Sequence, residues 1–411
     1  MSEPFRPLKD SRLYRGTFVE RPNRFIIHCA VPRHGVVEAF VANPGRMDEL
    51  LFPGRTPLTL TRVPAEVERR TRWTVVGCET PDGEPLFLDT HRTNDVAAHL
   101  VETGQVPGLK GWRLDRREVR VGHSRFDLQL AKGSRRLFVE VKSCTLFGGD
   151  GVAMFPDAVT ERGRRHMEEL ANLSQAGAER PVVLFIVHSS QINWFMPDFH
   201  TDLAFSQTFL NLRDRVRILP VGISWTPDFS LRPDVSTVQI PWAYLRREVE
   251  DRGAYLLLLR LHQDRRVTIG RLGEHHFAAG TYIYVGSAMA NLSKRVERHL
   301  RRRKRHHWHI DRLRDVADEV TALPIRSSQR LECDLARRLD SPPASPSSSS
   351  RTTNRAVKPS GIPVPSIRRA LDGFGCSDCD CPSHLFYSTE WPLDDIDFHR
   401  FLQHYRMRSP D

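Results

Sequence analysis

The sequence predicts a multidomain chain of α/β (α+β) class, with an all-β module ahead of two mixed modules. Three observations carry this expectation. Residues 1–85 hold five short strand candidates punctuated by Pro, Gly and Asn, with no room for a long helix. Residues 86–233 alternate strand-like runs with helical periodicity. After a connecting segment, 234–250, a second strand series opens at Gly253 and leads into a strongly basic helix. A length of 411 residues suffices for two or three units, each with its own core.

In the front module the strand candidates are 13–20, 24–30, 36–42, 56–63 and 73–79. Five short strands fit a small OB-like barrel. Arg15, Arg21, Arg24, Arg46, Arg69, Arg70 and Arg72 would follow a phosphate backbone across its face. A solvated scaffold accounts for the same arginines equally well. Asn43-Pro44-Gly45-Arg46 reads as a turn.

The middle module begins with a strand at 85–89 and a helix at 94–103, ended by Gly104. Its centre is the run 126–143, FDLQLAKGSRRLFVEVKS, two alternating strands about a Gly133-Ser134 turn of type II′, with 118–121 as lead-in. Pairing outward from that turn sets Lys132 opposite Arg135 and Asp127 opposite Glu140, with Lys142 on the same face as Glu140. Two carboxylates beside an ammonium suit Mg²⁺ or Mn²⁺ and hydrolysis of a phosphodiester. The plainer alternative is a polar ladder with one cross-strand ion pair. Further on, Thr160 caps a helix running to about 174, whose first turns carry Arg162, Arg164, Arg165 and His166. Positive charge at a helix N-terminus sits badly with the macrodipole unless an anion lies nearby, which makes Arg162 and Arg165 candidate nucleic-acid contacts. Side chains that simply face solvent account for the pattern nearly as well. Buried strands are expected at 182–187 and 216–221.

The motifs SRFD (124–127), VEVKS (139–143) and FPDAVTERG (155–163), with NPGRM (43–47) upstream, resemble the sugar fermentation stimulation protein family, SfsA, over roughly the first 230 residues. The resemblance implies an OB-like front domain and a PD-(D/E)xK nuclease-like domain with Asp127, Glu140 and Lys142 in its site. It also implies DNA binding and a role in regulating maltose metabolism. Pro156-Asp157 follows the E-x-K in sequence, so it is not the PD of the superfamily name. Asp95 and Glu102 are the acids available on the preceding helix, and neither is placed in the site.

The back module, 251–340 with 367–390, is expected to have strands at 253–261, 267–270 and 281–286 and helices at 291–302 and 329–339. Between Ala290 and Arg314 lie ten Lys or Arg, four His and two acids, a density that favours phosphate contact through Lys294, Arg298, Arg301 and Arg302. Gly253-Ala254-Tyr255 and Tyr284-Val285-Gly286 resemble the motifs of GIY-YIG nucleases, with Ala where that family has Ile. The resemblance implies that Tyr255 or Tyr284 acts with metal-bound water, Arg295 stabilises phosphate and Glu332 holds Mg²⁺. A DNA-gripping version without activity is the rival reading. Residues 341–366 form a Ser/Pro-rich stretch expected to be disordered, with six Ser and three Pro in 341–350. Beyond it, Cys376, Cys379, Cys381 and His384 make C-x₂-C-x-C-x₂-H, either a small zinc site or a loop of free thiols.

A net charge of +11, from 61 basic and 50 acidic residues, favours a polyanion, DNA or RNA, as partner. No apolar run is long enough to span a bilayer, and seven cysteines without a secretory leader fit the cytoplasm. The expected function is therefore a metal-dependent nuclease. Its alternative is a DNA-binding regulator of sugar utilisation that cleaves nothing.

Overall fold

The computed structural model describes residues 4–9, 11–64, 66–122, 124–148, 150–174, 179–340 and 367–410. The Ser/Pro-rich stretch 341–366 lies outside the described residues. The chain divides into two compact units, Met1–Arg246 with Ser409–Asp411, and Arg247–Arg408. Among the described residues no helix is long and apolar enough to cross a membrane.

The first unit opens with β1 (Leu13–Asn23), β2 (Ile26–Val31), β3 (Gly35–Val41), β4 (Pro57–Arg62), β5 (Trp73–Glu79) and β6 (Pro85–Phe87). They run in the order β3-β2-β1-β4-β5-β6, and a parallel pairing of β3 with β5, Ala39 to Trp73 and Val41 to Val75, closes the first five into a barrel. Closure removes the sheet edges that five short strands would otherwise expose. Alternation supplies the lining: Ile27, Cys29, Ala39, Val41, Leu58, Leu60 and Val75 are all buried. Met47, Leu50 and Leu51, from the loop after β3, join them in the core.

Next come α1 (Thr93–Glu102), β7 (Arg113–Val121), β8 (Ser124–Lys132), β9 (Arg135–Cys144), β10 (Leu146–Gly148), β11 (Val152–Phe155), α2 (Glu161–Leu173), β12 (Val182–Val187), β13 (Trp194–Pro197), α3 (Leu203–Asn211), β14 (Arg217–Gly222), β15 (Ser236–Thr237) and α4 (Trp242–Glu248). The main sheet has the order β15-β14-β12-β9-β8-β7, antiparallel from β7 to β9 and parallel from β9 through β12 to β14. Leu128, Leu130, Val139, Val141, Leu184 and Ile186 form one core with Val96, Leu100 and Val101 of α1. Phe185 alternates to the opposite face and packs on Phe155, Phe195 and Phe209. Glu140 and Lys142 share a face by the same alternation, and Glu140 bonds His166 of α2.

The second unit contains β16 (Gly253–Leu261), β17 (Arg265–Thr268), β18 (Glu274–Phe277), β19 (Gly280–Ala288), α5 (Leu292–Leu300), α6 (His309–Val316), β20 (Glu319–Arg326), α7 (Glu332–Leu339), β21 (Arg368–Arg369), β22 (Leu385–Ser388) and α8 (Ile396–Arg406). Its antiparallel sheet runs β20-β16-β19-β22-β21. Tyr255, Leu257 and Leu259 face Leu292, Val296 and Leu313 of α5 and α6, while Leu256 and Leu258 face Leu335 of α7 and Phe398 and Phe401 of α8. Covered on both faces, β16 can be almost continuously aliphatic. The chain thus carries an N-terminal five-strand barrel, a mixed α/β core domain and a C-terminal α/β domain.

Several expected bounds move. The strand expected at 267–270 is β17, two residues earlier, because a single 3₁₀ turn follows at Gly270–Leu272. The basic helix ends at Leu300, where Arg301 turns extended, and the helix expected from Gln329 starts at Glu332. The back unit does not stop at 390: α8 buries Phe398, Phe401, Leu402 and Tyr405 in its core.

Candidate metal and nucleic-acid site

The β8–β9 hairpin turns at Gly133 with φ +60°, and Ser134 is not left-handed, as type II′ requires. Its paired ladder runs from Lys132–Arg135 to Leu128–Val139 and ends there. The expected rung between Asp127 and Glu140 is absent, because the Asp127 side chain takes over the bonding. Its Oδ2 accepts the Val141 amide at 2.8 Å, and its Oδ1 accepts Asn94 Nδ2 at 2.9 Å. Burial, then the neighbouring Glu140 charge, pushes the Asp127 carboxyl above its usual range. The two acids therefore sense each other without sharing a rung.

Glu140 is 3% exposed. Its Oε1 accepts Lys142 Nζ at 2.6 Å and His166 Nδ1 at 2.8 Å, while Oε2 has no hydrogen-bond partner among the described residues. Burial pushes this carboxyl up, but the bond from His166 and the charge and bond of Lys142 outweigh it and hold Glu140 below its ordinary value. His166 Nε2 lies 3.4 Å from Arg162 Nε, so the Nδ1–H tautomer satisfies both contacts. Thr160 Oγ1 caps α2 by accepting the Gly163 amide at 3.0 Å. Part of the anion that the basic first turns call for is thus Glu140 itself, with Glu168 serving Arg164 at 2.9 Å. Arg162 and Arg165 remain exposed beside this site.

The acids of α1 are committed elsewhere. Asp95 pairs with Arg117 at 2.9 Å, and Glu102 bonds the Leu114 amide and Arg113. It is the amide of Asn94 that reaches Asp127, a role with no signal in the local pattern. Arg46 is exposed, but its carbonyl, with those of Gly45, Asn43 and Arg24, accepts from Arg21. Arg21 therefore clamps the 43–46 turn instead of facing a groove.

In the second unit, Tyr255 OH lies 3.0 Å from His299 Nε2, and both residues are buried. Burial raises the Tyr255 and Tyr284 phenols above their usual values, and the charges of Arg295 and Glu332 act on both. Gly286 makes room for this cluster, since a Cβ there would lie 2.4 Å from Tyr255 OH. Arg295 stacks 4.6 Å from the Trp308 ring centroid. Glu332 accepts Ser287 Oγ and, at 3.2 Å, His384 Nδ1. Of the basic candidates, Arg298 is held in a two-pronged pair with buried Asp311 at 3.1 and 2.9 Å, and Arg301 pairs with Glu297. Arg302 donates to the Asp315 carbonyl, and Lys294 is exposed.

The C-terminal cysteines gather differently from their spacing. Cys379, Cys381 and His384 meet Cys333 of α7, with all four donor atoms within 4.8 Å of one another. Cys376 lies outside this group and donates to the Phe374 carbonyl at 3.4 Å.

Comparison with known proteins bears on both units. Residues 19–85 match the SfsA N-terminal OB domain, residues 91–229 the sugar fermentation stimulation protein RE domain, and residues 254–350 the domain of unknown function DUF123. A sugar fermentation stimulation protein homolog of Methanothermobacter thermautotrophicus is 36% identical over 211 residues, 51% of this chain and 85% of that protein. The Desulfitobacterium hafniense homolog is 35% identical over 236 residues, 57% and 99% respectively. The structure of Pyrococcus furiosus SfsA, solved in complex with Ca²⁺, is 28% identical and aligns with a TM-score of 0.51 over 57% of this chain and all of that one. With its OB domain and RE domain in tandem, the chain belongs to the sugar fermentation stimulation protein family, SfsA.

Proposed function

We propose that the first unit is a metal-dependent nuclease acting on DNA, with Asp127 and Glu140 holding Mg²⁺ or Mn²⁺. The observation that carries the reading is the unpartnered, buried Glu140 Oε2 beside a second carboxylate. A buried acceptor without a donor is costly, and a divalent cation held by Glu140 and Asp127 would satisfy it. Bound metal would polarise the phosphodiester and lower the pKa of an attacking water. Lys142 would steady the charge that develops on phosphate, and His166 would keep Glu140 ionised and oriented. The Ca²⁺ complex of the P. furiosus relative is in keeping with an oxygen-ligand site for a hard cation. Arg162 and Arg165 would hold the strand, with Arg46 on the barrel side.

The second unit is proposed as a nucleic-acid module of GIY-YIG type, in which Tyr255, Tyr284 and Arg295 would meet the phosphate, Glu332 would hold Mg²⁺, and Lys294, Arg301 and Arg302 would follow the backbone. A non-cleaving regulator of sugar utilisation is the second reading, favoured by the name its relatives carry.

The test incubates wild type and Glu140→Ala with duplex DNA, single-stranded DNA and RNA, in Mg²⁺, Mn²⁺ or EDTA. Metal-dependent cleavage of DNA that Glu140→Ala abolishes, while salt-sensitive binding persists, supports the nuclease. Binding without cleavage in any metal supports the regulator.

A further inference from the structure

We propose that Cys333, Cys379, Cys381 and His384 bind one Zn²⁺, and that the ion, through His384, fixes the Glu332 carboxylate. The site is composed by the fold, not by a local motif. Cys333 comes from the first turn of α7, and the other three come from the loop before β22. Their donor atoms lie within 4.8 Å of one another, and Cys379 Sγ is 3.3 Å from His384 Nε2. Tetrahedral zinc with Zn–S near 2.3 Å needs donors about 3.8 Å apart, so only a small contraction is required. Three thiolates and one imidazole favour Zn²⁺ over hard cations, and each coordinating thiol releases its proton on binding.

The imidazole faces two ways. With Nε2 turned to the thiol cluster, His384 presents Nδ1 to Glu332 Oε1 at 3.2 Å. This is the carboxylate–histidine–metal arrangement in which an outer carboxylate sets the ring's tautomer and raises its basicity as a ligand. Glu332 is also the neighbour of Cys333 on α7, and Ser287 of β19 bonds its other oxygen. One ion would therefore tie α7, the loop before β22 and the Glu332 carboxylate into a single rigid group. The consequence of fixing Glu332, a carboxylate held in place for a Mg²⁺ ion, rests on the phosphodiester reading of the second unit. The metal site does not.

The experiment uses the full chain purified without chelator. Metal content is measured by mass spectrometry, and Co²⁺ replacement is followed by the visible bands of tetrahedral cobalt and the ultraviolet thiolate-to-cobalt band. One zinc per chain is expected, lost in Cys333→Ala and kept in Cys376→Ala. Absence of stoichiometric metal in wild type after zinc supplementation overturns the proposal, as does loss in Cys376→Ala with retention in Cys333→Ala. Should Cys333→Ala fail to fold, the wild-type stoichiometry and cobalt spectrum decide alone. Competition with a chromophoric chelator tests the link to Glu332. Glu332→Gln should weaken zinc binding by about 10–100-fold with the stoichiometry unchanged. Equal affinity overturns the coupling while leaving the metal site standing. None of these readouts depends on nuclease activity, so failure of the phosphodiester reading is seen separately, as DNA left uncut by zinc-loaded protein.

Discussion

Gly45 and Asp157 compete for one space: a Cβ placed on Gly45 would lie 1.9 Å from Asp157 Oδ2. The contact joins NPGRM, in the loop after β3, to FPDAVTERG, which leads into the first turn of α2, so two motifs more than a hundred residues apart form one corner of the first unit. Asp157 Oδ2 is itself buried, and a short side chain there has little room to retreat. Gly45→Ala should therefore lower unfolding free energy by about 1–3 kcal/mol, the range for overpacking. Chemical denaturation of Gly45→Ala, Asp157→Ala and the double variant checks this. The double variant should be less destabilised than the sum of the singles, and simple additivity would count against the contact.

The same corner should make stability fall as pH rises. Burial, then the Asp157 charge, pushes Glu49 up to about 8, and burial pushes Asp157 up to about 6 against the pull of neighbouring amides and Arg21. Both groups are more readily protonated folded than unfolded. Their contribution is thus present below the ordinary carboxyl range and is lost as pH rises through about 6 and then about 8. Each proton contributes at most about 1.4 kcal/mol per pH unit to the slope. Glu49→Gln should flatten the decline between pH 6 and 8 in thermal melts. Glu140, held low, acts in the opposite sense and only in more acidic solution.

Much of this architecture is legible in the sequence, and the exceptions have physical reasons. The barrel strands announce themselves by alternation between turn residues, and Val182–Val187 by unbroken apolar character. By contrast, β20 contains Pro324, which argues against a strand, yet β20 sits at the sheet edge where a missing N–H costs little. The helix α3, LAFSQTFLN, carries no charge and too weak a polar face to stand out, although Asp202 caps it through the Phe205 amide. Within the sites, Glu140 and Lys142 follow from strand periodicity. Asn94 and Cys333 do not, because each is brought in by tertiary packing from a separate helix.

Asn94 offers a gain-of-binding test. Its amide donates to Asp127 where an acid would give the site a third carboxylate. Asn94→Asp should therefore destabilise the metal-free protein through like-charge repulsion and tighten its binding of Ca²⁺ or Mg²⁺. Thermal melts with and without the cation, together with calorimetric titration, should show the two effects with opposite signs. A variant with unchanged cation affinity would place the metal away from Asp127.

Arg298 and Lys294 lie one turn apart on α5 but should respond differently to truncation. Arg298 is spent on Asp311, which is fully buried and also receives Lys304 at 3.2 Å and the His307 and Trp308 amides. Removing the guanidinium leaves that carboxylate short of a charged partner, at a cost of roughly 1–3 kcal/mol. Lys294 is exposed, and Lys294→Ala should change stability by no more than about 0.5 kcal/mol. Its effect should appear instead in DNA binding, as a salt dependence shallower by roughly one unit, because one phosphate is no longer neutralised. Urea titration and anisotropy against salt concentration separate the two roles. If Arg298→Ala weakens DNA binding at unchanged stability, Arg298 grips the backbone directly and its pair with Asp311 gives way when DNA arrives.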